Sequence, residues 1–382
     1  MNKFSEEPEP GSRNRNESGQ DRATPTKNNF NALRFIAASL VILSHGFELP
    51  TGLAVRDLAN AVTGKAFSWY AVNLFFVISG YLIFISWRRK PSFTLFCWSR
   101  FLRIVPGLFV MTFVTVFALG ALFSDLTFPK FLTETQTIKY IAGCLSIIFV
   151  KYELPGVFTA NPLQTVNGSL WTLRYEIFCY AAVAVAGSAG LWKSRQVRAS
   201  ILLLGILSAS LVLIALDLVW ADLRDNNHRV GMLYELARLG MCFLLGGFYA
   251  EIEKNVRLSS IVLLGLLLLT LAAARTAIFT PIANVAMAYA TMWFAFIPNG
   301  KWIAWTREAP DYSYGVYIYA FPVQQSLISL VPGIAPVSVI VGGFLATLLF
   351  AGLSWHLIEK PALSLKQIRG RYTRSDATSP VL

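Results

Sequence analysis

The chain has 382 residues, of which 55% are hydrophobic and 14% are charged, and its mean hydropathy is +0.54. Soluble domains carry about 25% charged residues, so this composition excludes an ordinary soluble globule and indicates a membrane protein. The net charge of +12 does not indicate a nucleic-acid-binding protein. The basic residues lie in short segments between apolar runs, where membrane topology already explains them.

Apolar runs of about 20 residues, the length of a helix that crosses a bilayer, follow one another along the chain. Such continuous runs favour helices over the strands of a barrel, the other structure that satisfies the backbone in lipid. We predict an all-α integral membrane protein with about ten spanning helices. Their approximate ranges are 30–49, 67–87, 101–124, 171–190, 200–219, 231–251, 258–274, 279–297, 312–330 and 336–357. A shorter apolar piece at 139–150 is predicted to be re-entrant or interfacial.

Three regions are expected: a disordered tail at 1–27, a transmembrane domain at 28–366 and a basic tail at 367–382. Of the 33 Lys and Arg residues, 23 fall on the side of the N-terminus, 8 on the other side and 2 inside spans. Basic residues accumulate on the cytoplasmic side of membrane proteins, so both termini are predicted to be cytoplasmic. The even number of helices agrees with this orientation.

The first apolar helix carries Arg34 and His45, although ionisable groups are costly in hydrocarbon. Their spacing amounts to nearly three helical turns, so both lie on one face, about 16 Å apart along the axis. Arg34 falls near the cytoplasmic end, either as an anion-binding group or as an anchor reaching the interface. His45 falls near the outer end, either as a base or as a polar residue packed between helices.

Two further segments follow in the next helices. Ser79 and Gly80 form a small-residue pair in mid-helix, which lets a neighbouring helix or a ligand approach closely. Arg100 and Arg103 are three residues apart, on one face at the start of a helix. Two guanidinium groups on one face suit a phosphate, and they also suit simple cytoplasmic anchoring.

The segment Asn167–Ala181 is predicted to enter the membrane from the outer side. Glu176 lies about five residues inside it, at a depth that matches His45, and Tyr180 is one turn deeper. A carboxylate at that depth requires a partner or a function, and Arg174 is one group that would neutralise it.

Other ionisable and sulfur-containing residues are predicted to be structural. Glu235 and Arg238, three residues apart in one helix, are predicted to form an intramembrane ion pair. The cysteines are far apart and show no CxxC spacing, so they favour apolar packing over a metal site or a disulfide framework.

Six motifs in consistent order resemble the integral-membrane acyltransferase 3 family, over about residues 28 to 366. They are LRFIAASLVILSH with its Arg-x₁₀-His pattern, LFFVISGYLI, RFLR, SLWTLRYEIFCY, SYGVYIY and IEKP. The chain departs from the family at Ala320, where many members have a histidine. It resembles the branch that consists of the membrane domain alone.

The resemblance implies an enzyme of the bacterial inner membrane, a multi-pass O-acyltransferase surrounded by membrane lipids. It implies acyl-CoA as the donor substrate on the cytoplasmic side, no permanently bound cofactor and no metal. The acceptor it implies is a hydroxyl of an exported or lipid-linked carbohydrate.

The resemblance also implies roles for individual residues. Arg34, Arg100 and Arg103 would hold the CoA phosphates. His45 would be the general base or would briefly carry the acyl group, with Glu176 orienting and charge-balancing its imidazole. The supporting or substrate-contacting residues are Ser79, Ser169, Trp171, Tyr180 and Tyr317.

Two other functions remain open at this point. A transporter or flippase for a lipid-linked glycan also fits ten helices with buried charges, but such proteins show paired halves, and this sequence shows no such symmetry. A sensor or scaffold protein would leave His45 replaceable. The acyl group, acetyl in the first instance, and the acceptor glycan are likewise open.

Overall fold

The computed structural model describes residues 28–53, 57–297, 305–307 and 309–366. The tails predicted at 1–27 and 367–382 lie outside these residues. Throughout the described ranges the secondary structure is helical, without strands, and the one β pairing is an isolated bridge between Ser124 and Val157. The predicted all-α architecture is therefore confirmed.

The helices are numbered here in chain order. They are α1 (Phe30–Glu48), α2 (Leu58–Thr63), α3 (Phe67–Arg89), α4 (Phe93–Val114), α5 (Gly120–Phe123), α6 (Phe128–Thr133), α7 (Thr135–Ser146), α8 (Leu173–Ser188), α9 (Arg195–Leu218), α10 (Ala221–Asn226), α11 (His228–Ile252), α12 (Ser260–Ala272), α13 (Phe279–Phe296), α14 (Ser313–Leu330) and α15 (Pro336–Ser354). A π-helical turn at Thr115–Leu119 joins α4 to α5, and another at Trp355–Glu359 continues α15. A 3₁₀ turn at Gly168–Thr172 leads into α8.

Each of the ten apolar segments predicted from the sequence contains a helix. Of the helices in the described ranges, six are long and apolar enough to cross a membrane: Phe30–Glu48, Phe67–Arg89, Phe93–Phe123, Arg195–Leu218, His228–Ile252 and Pro336–Lys366. Others are shorter, such as α8 with 16 residues and α12 with 13 residues. The apolar piece at 139–150 falls largely on α7, a helix of 12 residues. The chain is a multi-pass membrane protein.

Glycines bring α3 and α11 into close contact at the centre of the fold. A Cβ atom built on Gly80 would lie 1.9 Å from the carbonyl oxygen of Phe243, and one on Gly246 would lie 2.0 Å from that of Val77. Such separations leave no room for a side chain, so both positions require glycine. Within the Ser79-Gly80 pair, Gly80 thus allows the close packing of two helices, as small residues do in membrane bundles.

A buried polar network also fixes these central helices. The guanidinium of Arg238, whose residue is 1% exposed, ion-pairs with Glu235 and donates to the side chain of Asn73. It also lies 5.0 Å from the ring of Trp69, and Asn73 donates to Asn284 at 3.0 Å. The predicted Glu235–Arg238 ion pair is confirmed, and the Arg238 guanidinium also contacts Asn73 and Trp69.

Helix directions define two ends of the bundle. α1 begins at one end with Arg34 and runs away from it toward His45, whereas α3 runs back and ends at Arg89. α4 starts beside that end with Arg100, and the helical continuation of α15 finishes there at Lys366. We call the end that carries Arg34, Arg89, Arg100 and Lys366 the basic end, and the end near His45 the opposite end.

Candidate active site

A cavity of about 650 Å³ extends from the basic end into the bundle between α1, α3, α4, α8 and α14. Among its lining residues are Arg34, Ser79, Arg100, Arg103, Glu176, Tyr180 and Tyr317, all singled out by the sequence motifs. Its charged lining comprises the six basic residues Arg34, Arg89, Lys90, Arg100, Arg103 and Lys366 and the two acidic residues Glu176 and Asp311, a difference of +4. A cavity with this excess of positive charge attracts an anionic ligand.

Asp311 joins two of the predicted phosphate-binding arginines. Its Oδ2 atom accepts hydrogen bonds from Arg34 Nη1 at 3.2 Å and Arg103 Nη2 at 2.7 Å, and its Oδ1 atom accepts one from Ser313. Burial acts to raise the pKa of the Asp311 carboxyl, but the nearby charges of Arg103 and Arg34 outweigh it and hold that pKa below its usual range. A phosphate that binds Arg34 and Arg103 must therefore compete with this carboxylate.

Arg100 lines the same cavity in a different setting. Its Nε atom donates to Ser99 Oγ at 3.2 Å, and its guanidinium lies 5.6 Å from the ring of Phe96 and 5.7 Å from that of Tyr180. None of the carboxylates that the structure describes pairs with it. Both arginines of the Arg-x-x-Arg motif thus line the cavity, and Arg100 keeps its charge free for a ligand.

Glu176 lies in the wall of the cavity, at the first turn of α8. Its Oε1 atom accepts hydrogen bonds from Ser79 Oγ at 3.3 Å and from the hydroxyl of Tyr180. Arg174 does not neutralise this carboxylate, because its guanidinium turns away and donates to the hydroxyl of Tyr152 at 2.7 Å. The structure therefore gathers Ser79, Glu176 and Tyr180 into one polar cluster in the wall of the cavity.

His45 lies outside the lining of this cavity. Its ring packs edge-to-face on Phe321 with 5.0 Å between centroids, and its Nδ1 atom is buried without a hydrogen-bond partner. The hydrogen bonds and ion pairs of the described residues do not connect His45 with Glu176, which is bonded to Ser79 and Tyr180 instead. No direct contact of this kind thus joins the two residues that the resemblance pairs.

Aromatic residues on successive turns of α14 contact the cavity and His45. Tyr317 lines the cavity, with its ring 5.8 Å from that of Phe75, and Phe321 one turn further along α14 contacts His45. The Tyr317 hydroxyl donates to the Ser169 carbonyl oxygen at 2.5 Å and shares a hydrogen bond with the Thr172 hydroxyl at 2.6 Å.

The supporting residues Ser169 and Trp171, in the 3₁₀ turn before α8, have different surroundings. Ser169 is buried, its hydroxyl has no partner, and its backbone carbonyl holds Tyr317. Trp171 faces a separate cavity at the opposite end, whereas its neighbour Thr172 faces the first cavity. The start of α8 is therefore a wall shared by two cavities.

Comparison with known proteins now identifies the kind of molecule. The model of a family described as an acyltransferase domain, Acyl_transf_3, matches residues 27–356. The chain belongs to the acyltransferase 3 family. It is an acyltransferase with a cavity that is positively charged at its open end.

Two relatives of this acyltransferase extend over most of its length. An O-acetyl transferase of Shigella phage Sf6 is 30% identical over 346 residues, which are 88% of this chain and 96% of the relative. Nodulation protein 10 of Rhizobium leguminosarum bv. viciae is 27% identical over 373 residues, 89% of this chain and 94% of the relative. No solved structure matches.

The acyltransferase also contains site residues that the sequence did not reveal. Asp311 lies in a loop 208 positions after Arg103, and Lys366 lies at the end of the last helix, so neither joins a local pattern. The one sequence feature that pointed to Asp311 was its position as an acidic residue just before the SYGVYIY motif. Ala320, at which the sequence departs from the family resemblance, packs in an apolar cluster with Ala38, Ile42, Val316 and Ala351.

Proposed function

We propose that this acyltransferase moves an acyl group, acetyl in the first instance, from acyl-CoA to a hydroxyl of an exported or lipid-linked carbohydrate. The observation that carries this is the cavity, which has free cations at its open end and a polar cluster around Glu176 further in. The name of the phage relative, an O-acetyl transferase, supports the acetyl group and the oxygen acceptor. The excess of basic residues on the N-terminal side supports a bacterial inner-membrane protein with a cytoplasmic basic end.

The donor would enter at the basic end with its phosphates outermost. Arg100 would bind them first, together with Arg89, Lys90 and Lys366, which are exposed and make no ion pair within the described part of the chain. Arg34 and Arg103 lie deeper and are already partly neutralised by Asp311, so they would bind a phosphate only as Asp311 releases them. Guanidinium groups suit this task because they bind phosphate oxygens in pairs.

The transfer itself would be an attack on a thioester. The acceptor's hydroxyl oxygen forms a bond to the acyl carbon, the carbon–sulfur bond breaks, and the hydroxyl proton passes through His45 to the departing CoA thiolate. On the alternative route, His45 attacks the thioester first, which releases CoA and leaves an acyl-histidine. The acceptor hydroxyl then takes the acyl group from His45. Either route requires the acyl group to reach His45, which lies outside the lining of the cavity and packs against Phe321.

Glu176 would supply negative charge beside the reaction path. A carboxylate in the cavity wall balances an imidazolium that forms nearby, and Ser79 and Tyr180 keep it in place. In this arrangement Glu176 acts on His45 electrostatically, without a direct hydrogen bond.

The test measures labelled acetyl-CoA consumption and label transfer to glycan in membranes containing equal amounts of protein. His45→Ala should lower transfer by about 10²–10⁴-fold, the usual contribution of a general base. His356→Ala is the matched control, since His356 lies on the turn after α15 and hydrogen-bonds to the Tyr312 hydroxyl at 3.1 Å, outside the cavity lining. Glycan movement without acetyl-CoA consumption would show a transporter and contradict the proposal.

A further inference from the structure

A second cavity, of about 510 Å³, lies at the opposite end of the bundle. Its lining includes Lys65 just before α3, Tyr152 in the loop after α7, the start of α8 and the start of α11. α3 runs from this cavity to the open end of the first one, and its 23 residues span about 34 Å. The second cavity is therefore well separated from the donor's entrance, and the proposed reaction has so far used none of it.

Aromatic rings form much of its wall. Trp171 and Tyr175 stand edge-to-face with 5.7 Å between centroids, and Tyr152 and Tyr234 lie on other sides. Rings of Trp and Tyr offer an apolar face together with a polar edge. The carbon–hydrogen face of a sugar ring packs on such a surface while its hydroxyls reach the surrounding polar groups.

The cavity also contains hydrogen-bond donors that lack partners. The Nε atom of Arg174 is buried and unpaired, although another nitrogen of the same guanidinium donates to Tyr152. A buried donor left unpaired costs free energy that a ligand's hydroxyl would recover. Lys65 makes no ion pair among the residues that the structure describes. Arg224, by contrast, is committed to Asp217 and Asp225.

The second cavity shares a wall with the first. Trp171, Arg174 and Tyr175 face the second cavity, and Thr172 and Glu176, which alternate with them, face the first. A ligand hydroxyl placed against this wall is thus one layer of side chains away from the donor's acyl end. No lipid tail suits this place, because charged and hydroxyl groups line it alongside the rings.

The second cavity continues along the surface at Tyr152. That side chain also lines a neighbouring polar cavity of about 590 Å³, together with Glu134, Lys139, Lys151 and Glu153. The two cavities together offer space for more than one sugar unit. This shape fits a chain of linked sugars better than a free monosaccharide.

We propose that the second cavity binds the carbohydrate acceptor, with a sugar ring packed on Trp171 and a sugar hydroxyl accepting from Arg174 Nε. This inference rests on the proposed function, since it assigns the acceptor of that reaction to a site. Trp171 and Arg174 are binding residues here, and the hydroxyl that takes the acyl group belongs to another part of the carbohydrate, which reaches past the α8 wall to the donor.

The experiment uses the full chain, purified in detergent, with labelled acetyl-CoA as donor. The acceptor probe is surface polysaccharide from the organism that encodes the chain, stripped of ester groups by mild alkali. Trp171→Ala and Arg174→Gln should each raise the polysaccharide concentration needed for half-maximal rate by at least about 10-fold. The KM for acetyl-CoA should stay within about twofold, since neither residue lines the donor cavity.

Two controls separate binding from folding. Trp171→Phe keeps an aromatic face and should retain most of the acceptor affinity. Trp220→Ala removes an exposed tryptophan at the same end that does not line the cavity, and both KM values should remain unchanged. If Trp171→Ala does not fold, the two KM values of Arg174→Gln alone decide whether the second cavity binds the acceptor.

The two proposals fail in different ways. If the unaltered enzyme transfers no label to the polysaccharide, the proposed function is wrong. If it transfers label but Trp171→Ala or Arg174→Gln leaves the acceptor dependence unchanged, or raises the KM for acetyl-CoA equally, the acceptor site is wrong.

Discussion

His45 and Glu176 share no hydrogen bond or ion pair. The role proposed for Glu176 is to balance an imidazolium on His45, so its effect on the rate depends on His45 being present. We therefore expect a smaller rate loss from Glu176→Gln than from His45→Ala, and a double variant barely slower than His45→Ala alone. Initial rates with labelled acetyl-CoA, in membranes with matched protein levels, measure this. Rate losses that multiply in the double variant would show that the two residues act independently.

Asp311 is the residue on which two partly buried arginines depend for charge balance. Asp311→Asn keeps the size but leaves both cations without a carboxylate, so the apparent free energy of unfolding should fall by about 3–5 kcal/mol. Because the folded-state pKa of Asp311 is below its unfolded value of about 3.9, this stabilisation is fully present above pH 4 and is lost only below it.

The loss caused by Asp311→Asn should accordingly be equal at pH 7 and pH 5, measured by thermal unfolding of the detergent-purified protein. Asp222→Asn, at an exposed position on α10, should change stability at neither pH. A loss that disappears between pH 7 and pH 5 would show that the Asp311 carboxyl titrates near neutrality and would contradict the bridging role.

At the level of helices, the contact between α3 and α11 depends on glycine. Gly246 and Gly240 lie on the same helix, but a Cβ on Gly246 would meet backbone atoms of α3, whereas a Cβ on Gly240 would meet nothing within 4 Å. Alanine favours a helix over glycine by about 1 kcal/mol. Gly240→Ala should therefore maintain or raise the melting temperature, and Gly246→Ala should lower it by forcing the helices apart. Fluorescence-detected size exclusion after heating compares the two, and equal melting temperatures would contradict the close contact.

At the level of the whole molecule, the 23-to-8 distribution of Lys and Arg predicts that the basic end and both termini face the cytoplasm. A reporter enzyme that is active only outside the cytoplasm, fused after Leu382, should stay silent. The same reporter inserted after Asp125, an exposed residue at the opposite end, should be active. A strong signal after Leu382 would overturn the orientation and place the donor's entrance on the wrong side for cytoplasmic acyl-CoA.

The sequence by itself determined the helices, the family and the residues that share a face within one helix. Arg100 and Arg103 face one cavity, and Glu235 pairs with Arg238, because spacings of three or four residues are fixed by helical periodicity alone. Long apolar runs likewise identify helices without knowledge of their neighbours.

Only the tertiary structure decided which helix faces meet. Asp311 reaches Arg103 across 208 positions, Glu176 bonds to Ser79 rather than His45, and Trp171 turns toward a second cavity while Thr172 faces the first. Local periodicity fixes the angle of a side chain around its own helix axis. The tilt, rotation and neighbours of that axis come from the packing of helices that are distant in sequence, such as the glycine contact between α3 and α11.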